Sequence, residues 1–126
     1  MKTRTKAVKK RKTTKDVYKP QRILVPTDFS YPAEQALKHA LAIAKRNGAE
    51  ISLIHVVSKV SIPDMVFAST RIDLKLIKDL AAERLDRLVK RFKLKPAHQL
   101  VADGNAAEEV VKFAKKIKAD LVVISS

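Results

Sequence analysis

Ile23-Leu24-Val25-Pro26-Thr27-Asp28-Phe29-Ser30 is an apolar run that ends in Pro-Thr-Asp and passes at once into a helix start. Three apolar residues in succession suit a central parallel strand covered on both faces. Pro26 cannot donate to a ladder and closes the strand. Ser30 caps the helix that follows, and Pro32 sits in its first turn, where a missing N–H costs nothing. Asp28 therefore stands at the carboxyl end of a buried strand, the place where open α/β sheets bind their ligands.

Outward from this stretch the chain alternates helix and strand. Ala33, Ala36, Leu37, Ala40, Leu41 and Ala44 recur at helical spacing and predict one buried face, stopped by Asn47-Gly48. Ile51 to Val57 reads as a second strand. Residues Ser58 to Ser69, broken by Pro63, show neither period and read as a loop or lid. Ile72, Leu76, Ile77, Leu80, Ala81, Leu85, Leu88, Val89 and Phe92 predict a long amphipathic helix, ended by Lys95-Pro96. Ala97 to Ala102 is a short, more polar strand suited to an edge, and Asp103-Gly104 turns the chain. Asn105 with Glu108 opens the next helix, whose expected buried stripe is Ala107, Val110, Val111, Ala114 and Ile117. Asp120 to Ile124 is the fourth strand. Right-handed crossovers turn this order into an α/β fold, an open, doubly wound, mostly parallel sheet with helices on both faces.

The 126 residues, 46% apolar, suit one domain of ordinary size. Charge is unevenly spread. Residues 1 to 22 carry ten Lys or Arg against Asp16 alone, a net of +9 out of +14 for the whole chain. Residues 1 to 20 hold too few apolar side chains to bury and read as a basic disordered tail ahead of a domain at 21 to 126. The tail lacks the apolar stretch of a secretory signal and the Ser-rich amphipathic pattern of a transit peptide. Lys9-Lys10-Arg11-Lys12 suits contact with nucleic acid or an acidic partner, and a solubilising extension fits equally. No aromatic residues interleave these charges as a single-strand platform would require.

The absence of cysteine excludes disulfides, Cys-based zinc sites and thiol catalysis. No apolar run approaches the ~18 residues of a membrane span, so no membrane partner is expected and the location expected is cytoplasmic. His39, His55 and His98 have no ligand-like spacing, and no metal site is expected. Asp28 and Asp103 are carboxylates at strand ends, each with a plain alternative as a helix-start or turn residue. His55, between Ile54 and Val56, reads as a satisfied sheet residue rather than an acid or base. There is no Gly-x-Ser-x-Gly elbow, no residue set supports hydrolysis, and no enzyme is expected.

Taken in order, Val-Pro-Thr-Asp-Phe-Ser, the Ala-rich helix ending Asn-Gly-Ala, Ile-Ser-Leu-Ile-His-Val-Val, Gly-Asn-Ala-Ala-Glu-Glu-Val and Ala-Asp-Leu-Val-Val-Ile closely resemble the universal stress protein family. The resemblance covers about residues 21 to 126. It implies an adenine-nucleotide-binding-like fold with strand order 3-2-1-4-5, a homodimer built through the last strand, and ATP, with Mg²⁺, as ligand in some members. Carried over by position, Pro26 and Thr27 lie along the adenosine and Asp28 accepts hydrogen bonds from ribose or base. The backbone of Val56 or Val57 pairs with the adenine edge, and Ser125 stands where the first glycine of a phosphate-binding Gly-x-x-Gly begins. That glycine loop is not present: the chain has only Gly48 and Gly104, and nothing follows Ser126.

The expected sheet order is therefore 3-2-1-4, fifth strand absent. Either these residues are part of a longer chain that supplies the phosphate site and dimer edge, or nucleotide binding is weak or lost. Two functional classes remain: a stress-response protein that binds ATP without turnover and signals through a dimer, and a nucleotide-free interaction module docked by its basic tail. Salt separates them. Binding carried by the tail should fall at least about tenfold between roughly 50 and 200 mM salt and disappear without residues 1 to 20, as filter binding or anisotropy would show. Adenosine recognition should barely change.

Overall fold

The computed structural model describes residues 3–7, 19–58 and 73–125. The expected loop or lid from Ser58 to Ser69, Ile72, Ser126 and the Lys9 to Lys12 run fall outside these residues, apart from Ser58. The described elements are β1 (Thr3–Ala7), β2 (Arg22–Pro26), α1 (Tyr31–Asn47), β3 (Glu50–Val57), α2 (Leu74–Arg91), β4 (His98–Asp103), α3 (Ala106–Lys116) and β5 (Leu121–Ser125).

The sheet runs β1-β5-β2-β3-β4. Counted from Ile23, its parallel part has the order 3-2-1-4 read from the sequence. One more strand joins the four expected, and it comes from within the segment read as a disordered tail: β1 pairs antiparallel with β5, from Thr3 opposite Ser125 to Ala7 opposite Leu121. The edge of β5 is thus covered within the chain. Low apolar content misleads because an edge strand is held chiefly by backbone N–H and C=O groups, which an open strand leaves unpaired.

Each helix begins and ends as its residues dictate. Ser30 Oγ accepts the Ala33 N–H to cap α1, and Gly48, at φ 63°, closes it in the left-handed conformation. Asp73 and Asn105 cap α2 and α3 through their side chains. The helix α2 ends at Arg91, ahead of Pro96: Lys93 takes φ 53° and Leu94 N–H bonds the Val89 carbonyl, so a left-handed turn rather than the proline stops it.

The sheet is buried on both faces. α1 and α2 cover one side, where Ile23, Val25, Leu37, Leu53, Leu85, Leu88 and Val123 interlock. α3 covers the other, setting Phe113 and Ala114 against Leu24, Ile54 and Val122. Two helical stripes differ from the periodic reading. In α2, Ala81, Leu85 and Leu88 are buried while Leu76 and Leu80 are exposed; in α3, Phe113 and Ala114 are buried while Ala107 and Val111 are exposed. Both helices meet the sheet along only part of their apolar stripe, so periodicity identifies the helix but not how far it touches.

Asp120 ties the two central strands. Its buried carboxylate accepts the Gln21 N–H at 3.0 and 3.2 Å and the Arg22 N–H at 3.1 Å, and its own N–H donates to the Arg22 carbonyl at 2.9 Å. Asp120→Ala leaves those donors without their acceptor and should cost about 2 kcal/mol or more in a urea unfolding experiment. Truncation of the exposed Leu76 should stay within about 0.5 kcal/mol.

Candidate functional site

β2 is the point where the winding reverses: the chain steps from β2 to β3 and β4 on one side, then places β5 on the other. Parallel sheets open a crevice at such a point. Here β2 and β5 pair only at Ile23 with Leu121 and Leu24 with Val122, although both strands continue beyond. In the resulting gap lies a cavity of about 190 Å³. Pro26, Thr27 and Asp28 line it from the end of β2, Ile54 and Val56 from β3, Ala106 and Val110 from α3, and Ile124 and Ser125 from β5.

The turn that aims Asp28 into this crevice is fixed from several directions. Thr27 N–H bonds the Ile54 carbonyl at 2.9 Å, and Thr27 Oγ1 accepts the Phe29 N–H at 3.0 Å. His55 Nδ1 lies 2.7 Å from the Thr27 carbonyl; since a carbonyl only accepts, that nitrogen carries the proton. Phe29 has φ 67°, an uncommon conformation for an aromatic residue. Its ring is held between His55, 4.5 Å away, and the Arg84 guanidinium, 4.6 Å away.

Asp28 Oδ1 accepts the Ser30 N–H at 2.9 Å and the Ser30 hydroxyl. Partial burial pushes the carboxyl up, but the bonds from the Ser30 side chain and backbone outweigh it, with a smaller contribution from His55, so its pKa lies below the usual carboxylate value. The plain helix-start role of Asp28 is therefore present. Oδ2 takes part in neither of these two bonds, and a carboxylate oxygen can accept from a hydroxyl.

Of the residues singled out in the sequence, Pro26, Thr27, Asp28, Val56 and Ser125 come together in this cavity. Val57 does not. It is buried, and its carbonyl accepts the Gly104 N–H at 3.0 Å, so between the two alternatives for the second strand's end Val56 is the one at the crevice. Gly104, at φ 128°, serves the turn. Asp103 is paired with Lys78 at 3.1 Å and lines a different hollow. Sequence reading missed Ala106 and Val110, which close the cavity from α3; their signal was the Asn105 cap, which starts that helix beside the end of β4. It also missed the Phe29–Arg84 contact, which spans two distant segments and leaves no local pattern.

The profile of the Universal stress protein family matches residues 19–126. The chain belongs to that family. It is 33% identical over 112 residues to Universal stress protein MJ0531 of Methanocaldococcus jannaschii, a match that covers 84% of this chain and 64% of the relative. The chain thus spans less than two thirds of that relative's length. Among solved structures, MJ0577, described as a structure-based assignment of biochemical function, superposes with a TM-score of 0.66 at 28% identity, covering 82% of this chain and 72% of that one. A universal stress protein crystallised in complex with cAMP shares the fold at a TM-score of 0.52 and 22% identity, covering 82% and 70%.

Within this universal stress protein fold, the cavity offers an apolar slot with one carboxylate at its mouth. The two glycines of the sequence serve the end of α1 and the turn after β4, so neither contributes a phosphate cradle here. Nuclear magnetic resonance titration should place the Asp28 carboxyl below the ordinary value of an aspartate. Because its pKa is depressed, the stability it contributes is present above the unfolded value and is lost as pH falls through the folded one. Ser30→Ala should move the Asp28 titration up towards the ordinary value and, by removing the cap of α1, cost about 0.5–2 kcal/mol.

Proposed function

We propose that this member of the stress-response family binds an adenine nucleoside or nucleotide in the β2–β5 crevice, without turning it over. The observation that carries the reading is the convergence of Pro26, Thr27, Asp28, Val56 and Ser125 on one cavity at the reversal point of the sheet. Asp28 Oδ2 accepts from a ribose hydroxyl, the Val56 backbone meets the purine edge, and Pro26, Ile54 and Val110 flank the base. A cavity of this size takes part of an adenosine, with the remainder outside it.

Phosphates have no glycine loop to lie in within these residues, so adenosine supplies most of the affinity. Among the described residues no cluster of His, Cys, Asp or Glu is suited to a metal ion, and Mg²⁺ enters only as the counterion of a bound ATP. No helix among them is long and apolar enough to cross a membrane. Signalling through a homodimer is part of the reading, but β1 occupies the strand position beside β5, so a dimer built on that edge must displace it.

Calorimetry with adenosine and with Mg-ATP tests the proposal. Both ligands should bind within a few-fold of each other, and Asp28→Asn should weaken each by about tenfold or more, as expected for loss of a charge-assisted hydrogen bond. Replacing Lys9, Lys10, Arg11 and Lys12 by Ser, which keeps the β1 residues, should leave adenosine affinity unchanged. Unaltered affinity in Asp28→Asn sinks the assignment of the site. Binding that disappears with those four charges favours instead the nucleotide-free module docked on nucleic acid or an acidic partner.

A further inference from the structure

β4 is the outermost strand on its side, and among the described residues no strand pairs with its outer edge. Every second residue of β4 therefore turns a backbone N–H and C=O away from the sheet. On the face that carries α3, Phe113 and Ala114 pack with Leu24, Ile54, Val122 and, from β4, Ala102, while Leu100 of β4 stays exposed. Two adjoining hollows of about 640 and 300 Å³ run along this margin and share Leu100, Phe113 and Lys116.

The floor of this groove is apolar and its rim cationic. Ala102 and Leu100, the latter 36% exposed, lie on the floor with the edge of His98, whose ring stands 6.4 Å from that of Phe113. Lys112, Lys116 and Lys118 stand along the wall, and none of the three enters an ion pair among the described residues. The acidic residues at the two ends are already engaged: Glu50 with Arg22 at 3.4 Å and Asp103 with Lys78 at 3.1 Å. Glu109 is the one remaining carboxylate in the lining.

We infer that this groove receives an extended acidic segment of another protein, which adds to the sheet beside β4 and places an apolar side chain over Leu100 between carboxylates facing the lysines. An open strand edge beside a helix is suited to an incoming strand: backbone bonds hold it, and alternate side chains enter the groove. The unpaired lysines select acidic flanks. They also disfavour a second copy of this chain, which would set the same lysines against each other in a molecule of net charge +14. A nucleic acid would satisfy the lysines but make poor use of the apolar floor and the strand's alternating donors and acceptors.

The probe is the blocked peptide Thr-Glu-Thr-Leu-Thr-Glu-Thr, added to the full chain and read by hydrogen exchange and fluorescence anisotropy. Binding should slow exchange of amides within residues 98–103, and the double variant Lys112→Glu, Lys116→Glu should weaken it by about tenfold or more. Both lysines are exposed, so folding is spared. Replacing Glu by Lys in the peptide, or placing Pro on both sides of its Leu, should abolish binding. Unslowed exchange at β4 with saturating peptide, or equal binding of the Pro-bearing peptide, overturns the inference. Protection of β4 by self-association without peptide, or by an oligonucleotide in place of the peptide, also overturns it. Asp28→Asn should leave peptide binding unchanged, which keeps this test separate from that of the nucleotide crevice.

Discussion

The hydrogen bonds around Asp120 set the geometry on which the rest depends. One buried carboxylate takes the N–H groups of Gln21 and Arg22, and the Asp120 backbone bonds the Arg22 carbonyl. On the opposite side of β2, Glu50 N–H bonds the Gln21 carbonyl at 2.9 Å. The central strand is therefore fixed to both neighbours at its start. From that anchored end β2 stays in register with β3 as far as Pro26 but leaves β5 after Leu24. Since paired strands twist relative to one another, fixing β2 and β5 at one end and releasing them at the other opens the crevice at the carboxyl ends. The site owes its existence to a clamp at the far end of the same two strands.

The turn above the crevice shows how one carboxylate can order a helix start and still line a cavity. Asp28 uses one oxygen to order Ser30, which in turn caps α1. The helix N-terminus and the Ser30 donors favour the ionised carboxylate, which enters no salt bridge among the described residues. Phe29 takes a left-handed conformation that costs of order 1 kcal/mol or more, and its ring is returned to favourable contact with His55 and Arg84. His55 holds the Thr27 carbonyl while its ring meets that of Phe29 at a tilt of 36°. Its sequence reading as a satisfied sheet residue agrees with these contacts, and they connect β3 to the turn that carries the carboxylate.

The sequence makes the parallel core legible because burial on both faces forces continuous apolar strands and because caps such as Ser30 and Asn105 act locally. Pro26, Thr27 and Asp28 are legible for the same reason: a strand end, a turn and a cap follow one another in a few residues. Val57 shows where this stops. Neighbouring residues of a strand face opposite sides, and only the pairing with β4 decides that Val56 reaches the crevice while the Val57 carbonyl meets Gly104. The strand at Thr3–Ala7 is illegible for a deeper reason. Hydrophobic patterning reports what a segment buries, whereas this strand is placed by the open backbone of β5, a property of residues more than a hundred positions away.

The two margins of the sheet meet the edge problem differently, and this difference gives the molecule a direction. Beside β5 the chain supplies its own antiparallel strand, so pairing there requires β1 to leave. Beside β4 no such cover is described, and the strand is protected by charge instead: Lys112 and Lys116 of α3, and Lys118 beyond it, stand over its flank. Charge of one sign excludes identical chains more effectively than it excludes an acidic one. A guard built from lysine is therefore selective rather than absolute, and it leaves the β4 margin closed to self-association while remaining open to an acidic strand.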